Sequence, residues 1–241
     1  MSRDAEAGIF GGLPDAMPAS LPDGLSLERV NGALTLVADD GLSMRGDFTR
    51  ELRRLRPATV SRELLVRAAR VRGCEHPRAV DATAGMGEDS LLLAAAGFDV
   101  TLYEHDAVIA ALLADALERA AAVPELAPLV ARMRLVHGDS VAALRALADA
   151  DASARPDVVL LDPMFPERRK SASVKKKAQL LQRLQTPEKD EAAMLDAAIG
   201  ARPRKVVVKR PLKGPFLAGV KPAYQIAGKA VRYDVLVPAQ L

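Results

Sequence analysis

The run Asp162-Pro163-Met164-Phe165-Pro166 holds residue types that could do chemistry at a nitrogen. An exocyclic amine on a nucleobase is a poor nucleophile, because its lone pair is delocalised into the ring. A carboxylate oxygen with a backbone carbonyl beside it can accept both N–H hydrogens. That pairing turns the lone pair toward an electrophile, so positioning and charge complementarity supply the rate without a strong base. Asp162 and the Pro163 carbonyl are the candidate acceptors, and Phe165 is the candidate stacking platform for the base. Stacking of this kind is worth about 1–3 kcal/mol. A base inside a helix must first be unstacked or flipped. Asp-Pro alone is an ordinary strand-to-loop turn, so the chemical reading depends on what lies upstream.

Upstream, residues 79–89 read Ala-Val-Asp-Ala-Thr-Ala-Gly-Met-Gly-Glu-Asp. They read as the end of a buried strand, a tight turn at Gly85 and Gly87, and a helix from Asp89. Such an edge binds nucleotides in an α/β sheet, where ligands sit at the carboxyl ends of the strands. Glycines there permit φ > 0 and close backbone approach. The following strand ends supply Glu104, then Asp139-Ser140, then Asp162. Each has a role if the ligand is S-adenosylmethionine (SAM). The glycine turn passes under the methionine and ribose, Glu104 accepts from the ribose hydroxyls, and Asp139 and Ser140 meet the adenine amine. An NAD site also places an acid about twenty residues on. It is disfavoured by Asp81-x-x-x-Gly85-x-Gly87 lacking the third glycine of the dinucleotide fingerprint. Asp-Pro-x-Phe is also the Asp/Asn-Pro-Pro-Tyr/Phe pattern of amino-group methyltransferases with one substitution, Met164.

These residues need elements to position them. Strands are expected at 78–82, 100–103, 133–136, 157–161 and 205–208, with helices at 89–96, 107–122, from 140 to about 148, and near 188–199. Alternation of this kind predicts a parallel sheet with helices on both faces. Two successive strands, 223–227 and 231–237, predict an antiparallel hairpin at its edge. The expected fold is a Rossmann-like, mostly parallel seven-stranded sheet plus a small N-terminal β element. That element is expected around Asn31-Gly32, a hairpin dipeptide, with a further strand in 42–48 and then a helix over 59–72. Three regions are expected: a mobile tail (1–24), a small β/helix extension (25–75) and the main domain (76–241).

The 241 residues carry a net charge of +3, 49% hydrophobic residues, 3% aromatics and one cysteine. A lone Cys74 with three histidines does not make a zinc site, so no metal is expected. No run approaches a membrane span, and the first residues lack a signal pattern, so a cytoplasmic location is expected. The net charge hides an asymmetry. Residues 45–72 hold nine arginines against three acids, 167–189 hold eight Lys/Arg against two, and 197–233 hold nine against none. Three basic blocks on an otherwise acidic chain predict a polyanionic partner, nucleic acid first. Candidate phosphate contacts are Arg168, Arg169, Lys170, Lys175, Lys176 and Lys177 beside the acceptor loop, and Lys209 and Arg210 at a strand end. Lys209 and Arg210 have an alternative reading as partners of Asp162 or another acid.

Four motifs together resemble the RsmJ family. They are Asp-Ala-Thr-Ala-Gly-x-Gly-x-Asp (81–89), Leu-Asp-Pro-Met-Phe-Pro (161–166), Lys-Ser-Ala-x-Val-Lys-Lys (170–176) and Val-Val-Val-Lys-Arg-Pro (206–211). The resemblance covers roughly residues 79–237. It implies a class I, SAM-dependent methyltransferase that forms N2-methylguanosine in small-subunit (16S) ribosomal RNA, with ribosomal RNA or the small ribosomal subunit as partner. By position it implies donor binding by Glu88 and Asp89, Glu104 and His105, Asp139 and Ser140, and Asp162. Glu88 and His105 stand where the family has arginine, and Asp139 where it has a small hydroxyl residue. Two other readings stay open: a methyltransferase of another amine, such as adenine N6 or a protein amide, and a non-catalytic RNA-binding assembly factor on the same fold.

Overall fold

The structure, a computed structural model, describes residues 10–11, 21–163, 180, 183–184 and 190–240. Strand β1 is Phe10–Gly11. β2 (Leu25–Val30), β3 (Ala33–Ala38) and β4 (Ser43–Met44) form a three-stranded antiparallel sheet. Asn31 and Gly32 turn its first hairpin at φ of 51° and 78°. A two-residue hairpin that matches strand twist needs positive φ at both positions, and this dipeptide reaches it at low cost. Two short helices follow, α1 (Pro57–Val60) and α2 (Leu64–Ala69).

The chain then alternates through β5 (Arg78–Asp81), α3 (Glu88–Ala95), β6 (Asp99–Glu104), α4 (Ala107–Ala121), α5 (Ala127–Val130), β7 (Met133–His137), α6 (Ser140–Ala148) and β8 (Val158–Leu161). It continues with α7 (Glu191–Gly200), β9 (Lys205–Pro211), β10 (Tyr224–Ala227) and β11 (Val231–Leu236). The large sheet has the order β1-β7-β6-β5-β8-β9-β11-β10. β10 and β11 pair antiparallel with each other, and β11 pairs antiparallel with β9; the remaining pairs are parallel. Strand order reverses between β5 and β8, and the crevice outside their carboxyl ends is where such a sheet takes a ligand.

Period-two alternation decides the layers. Ala79, Val100, Leu102, Leu135, Val158, Leu160, Val207 and Val235 face one side of the sheet, against apolar residues of α2, α3, α4 and α5. Val80, Val159, Leu161, Val206, Val208 and Leu236 face the other, against Leu144 of α6 and Met194, Leu195 and Ala198 of α7. A third cluster joins the small sheet to the large one. Leu34, Leu36, Ala38 and Met44 pack with Met86 and with Val108, Ile109 and Leu112 of α4. The small sheet therefore rests beside the glycine turn.

Three differences from expectation have local causes. β1 adds an eighth strand, Phe10 beside Leu135, at an edge of β7 whose backbone groups it satisfies. The helix expected over 59–72 is two short ones, because Glu63 is extended (φ −59°, ψ 135°). Its carboxylate takes a two-pronged pair from Arg54, with both N···O distances 3.0 Å. Finally, β4 is only two residues, and Phe48–Glu51 winds as a 3-10 turn started by the Asp47 side chain, which accepts from Thr49 N–H.

Candidate active site

Asp81 ends β5 with a buried carboxylate. Its Oδ1 accepts from Thr83 N–H at 3.1 Å and its Oδ2 from Ser90 Oγ–H at 2.6 Å. It thus clamps the turn to the first turn of α3. Burial pushes its carboxyl up to about 7, against those two hydrogen bonds, with Asp89 and Asp162 adding to the rise. Asp81 braces the turn through these two bonds.

The two glycines of the turn do different work. Gly87 sits at φ 75°, and a Cβ there would stand 2.7 Å from Leu113 Cδ1 and 3.2 Å from Phe48 Cζ. It lets α3 open against the core and the N-terminal segment. Gly85 sits at φ 53°, and a Cβ there would meet only the Thr83 carbonyl oxygen, at 4.0 Å. Gly85 is the glycine with open space beside it.

Glu104 ends β6 and is 6% exposed. Gly85 N–H donates to its Oε2 and Asp106 N–H to its Oε1, each at 2.9 Å. These bonds fix the carboxylate against the turn. A carboxylate oxygen can accept two hydrogen bonds, so holding the turn is compatible with accepting a ribose hydroxyl. His105 Nδ1 lies 3.2 Å from Glu104 Oε1, within ion-pair range. The ring nitrogens are buried and make no aligned hydrogen bond among the described residues. His137 Nε2 lies 3.1 Å from the His105 carbonyl oxygen.

At the end of β7, Asp139 is exposed and its Oδ1 caps α6 by accepting from Val141 N–H at 2.9 Å. Ser140 is 1% exposed, and its Oγ has no hydrogen-bond partner among the described residues. A Cβ at neighbouring Gly138 would meet nothing within 4 Å. An orphaned buried hydroxyl, a fixed buried acid and open backbone at two glycines fit a nucleoside with hydroxyl and amine groups to satisfy. On these residues SAM fits the site. Glu88, by contrast, is exposed at the start of α3.

Asp162 follows β8. Its backbone N–H donates to Thr83 Oγ at 2.7 Å, which anchors the first residue of the acceptor loop to the glycine turn. Lys209 Nζ lies 2.9 Å from Asp162 Oδ2 and 2.5 Å from Asp89 Oδ2. Burial acts to lower the Lys209 pKa, but the Asp89 and Asp162 carboxylates outweigh it and hold the ammonium protonated. Tyr233 is the cross-strand neighbour of Lys209 on β11. Burial, with Asp89 adding, pushes its phenol well above the usual range. Lys209 therefore serves as an internal counter-ion to two acids.

Arg210, the other candidate phosphate contact on β9, is 1% exposed. Its Nε donates to the Pro215 carbonyl at 2.9 Å, and a terminal nitrogen lies 3.3 Å from Glu191 Oε1. It braces the segment after β9 against α7. Sequence reasoning missed Thr83 and Tyr233. Thr83 had a signal, a hydroxyl two residues after Asp81, whereas Tyr233 reaches the site only through strand pairing. Pro163 is half-buried. Phe165 lies outside the described residues, as do Arg168, Arg169, Lys170, Lys175, Lys176 and Lys177. Among the described residues no His, Cys, Asp and Glu cluster could hold a metal ion, and no helix is long and apolar enough to cross a membrane.

Comparison with known proteins bears on the family and the fold. A family model described as "Putative SAM-dependent methyltransferase" matches residues 24–238. The similarity thus extends well before residue 79, where the sequence motifs begin. The chain is 43% identical to a ribosomal RNA small subunit methyltransferase J from Thioalkalivibrio sulfidiphilus, over 92% of both chains. It is 40% identical to a protein of the same name from Neisseria meningitidis, over 95% of this chain and 90% of that one. The crystal structure of a SAM-dependent methyltransferase from Neisseria gonorrhoeae superposes with a TM-score of 0.73 at 33% identity, covering 93% of this chain and 87% of that chain. With the fold, the glycine turn and these matches in agreement, the chain belongs to the ribosomal RNA small subunit methyltransferase J (RsmJ) family of SAM-dependent methyltransferases.

Proposed function

We propose that this chain methylates small-subunit ribosomal RNA at the exocyclic N2 amine of a guanine, with SAM as the donor. When bound, SAM supplies an electrophilic methyl group on a sulfonium. Gly85, Glu104, Asp139 and Ser140 hold the donor in this reading, with Asp81 and Gly87 shaping the turn. Asp162 and the Pro163 carbonyl accept the two amine hydrogens and so orient the nitrogen lone pair. Phe165 stacks on the target base. A cytoplasmic location goes with this substrate.

The observation that carries the reading is the setting of Asp162. Its backbone is tied to Thr83 of the glycine turn, and its carboxylate is paired with Lys209. An acceptor carboxylate must be ionised to take hydrogens from an amine, and an ammonium at contact distance favours the ionised form. Lys209 is a positioning residue here, because it acts through Asp162. The test is Asp162→Ala, assayed with methyl-labelled SAM and small-subunit ribosomal RNA. Turnover should vanish while the melting temperature stays near wild type. Wild-type turnover by that variant would refute the assignment.

A further inference from the structure

Asp162 and the glycine turn lie at the carboxyl ends of the strands. At the opposite end of β9 is a cleft of about 460 Å³ that the methyl-transfer site does not use. Arg67, Arg70, Arg72, Arg204, Lys205 and Tyr224 line it. Two of the basic blocks in the sequence meet there. Arg67 comes from α2, with Arg70 and Arg72 in the chain that follows, and Arg204 and Lys205 come from the start of β9. Tyr224 opens the edge strand β10. Among the described residues no acid lines the cleft.

The cations divide into two kinds. Lys205 and Arg204 are tied down. Lys205 Nζ donates to the Ala68 and Arg70 carbonyls at 3.2 and 2.6 Å, and Arg204 Nε lies 3.2 Å from Asp157 Oδ1. Arg67, Arg70 and Arg72 are exposed. Their guanidinium groups make no hydrogen bond or ion pair among the described residues. Three unpaired guanidiniums around one concavity raise the local potential and draw in an anion. Lys205 Nζ stands 5.7 Å from the centroid of the Tyr224 ring, a cation–π contact that holds the ring in place. Tyr224 remains 40% exposed, more than any other large hydrophobic residue among those described.

Fixed cations, exposed unpaired guanidiniums and an exposed aromatic ring are the parts of a single-stranded nucleic-acid contact. The cations track phosphates and the ring stacks on a base. We propose that this cleft is a second RNA-contact site, which binds backbone phosphates of the substrate RNA and stacks an unpaired base on Tyr224. It rests on the reading of the chain as a ribosomal RNA methyltransferase. Lys205 and Lys209 are four residues apart on one strand, about 13 Å at ~3.3 Å per residue. The cleft thus takes RNA that flanks the target nucleotide and wraps the β10 edge.

The test uses the full chain, a small-subunit ribosomal RNA transcript and three variants: the triple Arg67→Gln/Arg70→Gln/Arg72→Gln, Tyr224→Ala and Tyr224→Phe. Binding is titrated across salt concentrations. The triple variant should lower the slope of log K against log[salt] by about two, at roughly 0.7 per lost phosphate contact on a single strand. Its KM for the transcript should rise at least tenfold, while its SAM dissociation constant matches wild type. Tyr224→Ala should bind roughly tenfold more weakly, and Tyr224→Phe should bind as wild type, because stacking needs the ring and not the hydroxyl. An unchanged salt slope in the triple variant overturns the site, as does equal binding by Tyr224→Ala and wild type. The two readings fail separately. Wild-type protein that methylates the transcript while the triple variant binds it equally well refutes the cleft alone. Wild-type protein that binds the transcript through the cleft but never methylates it refutes the proposed reaction and supports the cleft.

Discussion

Replacing Lys209 by methionine removes one ammonium from between two carboxylates and keeps much of the side-chain volume. Lys209 Nζ is 2.9 Å from Asp162 Oδ2 and 2.5 Å from Asp89 Oδ2. Two unit charges 2.9 Å apart interact by about 6 kcal/mol at an effective dielectric constant of ~20. Asp162 is 34% exposed, so solvent screens much of that. A rise in the Asp162 pKa of about one to three units is the range for a carboxylate that loses a contacting cation. The sign follows directly. Without Lys209 the charged form is less favoured, and the nearby Asp89 charge disfavours it further. Since the acceptor works only when ionised, the acid limb of kcat/KM should move up by about one to three pH units. Below that limb each pH unit costs about tenfold, and at high pH the variant should approach wild type. The assay is an initial-rate pH profile with labelled SAM and ribosomal RNA, with circular dichroism and melting temperature checked alongside. Lys209→Arg should return the limb toward its wild-type position. A limb that does not move, with activity unchanged or lowered equally at every pH, would refute the role given to Lys209.

Other outcomes follow from the same geometry. Asp81 has a folded-state pKa raised to about 7 by burial, so the folded state binds more protons than the unfolded state between pH ~4 and ~7. Its contribution to stability is therefore fully present below about pH 4 and is lost as pH rises through 7. Three units at about 1.4 kcal/mol each set an upper bound of about 4 kcal/mol. Asp81→Asn should flatten that part of the dependence in urea unfolding between pH 4 and 8; an identical slope in both proteins would contradict the burial argument. Gly87→Ala combines a left-handed backbone with a Cβ 2.7 Å from Leu113 Cδ1, and should destabilise by about 2–5 kcal/mol. Gly85→Ala carries the backbone strain without the collision, about 1–2 kcal/mol, and should instead weaken SAM binding in calorimetry. Equal melting temperatures for the two variants would show that the glycines do not differ in this way.

The acids of the site were legible because a parallel strand delivers its last residue to one edge. Asp81 and Glu104 end strands, Asp162 follows one directly and Asp139 lies two residues past the end of another. Their partners were legible only in part. Lys209 reads both as a phosphate contact in a basic block and as a partner of Asp162, and the β8–β9 pairing with the position of α3 turns its ammonium inward, as the second reading has it. Arg210 lies one residue further on, so the pleat sends it to the opposite face, against α7. The reason for a glycine at 87 lies in Leu113 and Phe48, which are distant in sequence. The interrupted helix around Glu63 reflects its pairing with Arg54 across a turn, which periodicity does not register. The two-residue β1 draws its order from the edge of β7 rather than from its own residues.

The most direct test of the central claim is mass spectrometry of nucleosides and mapped fragments of small-subunit ribosomal RNA. The RNA would come from cells lacking this gene and from the same cells complemented with wild type or with Asp162→Ala. The account predicts that one N2-methylguanosine disappears on deletion, returns with the wild-type chain and does not return with the variant. A modification pattern that is the same in all of these cells, or a lost methyl group on a different atom, would contradict it.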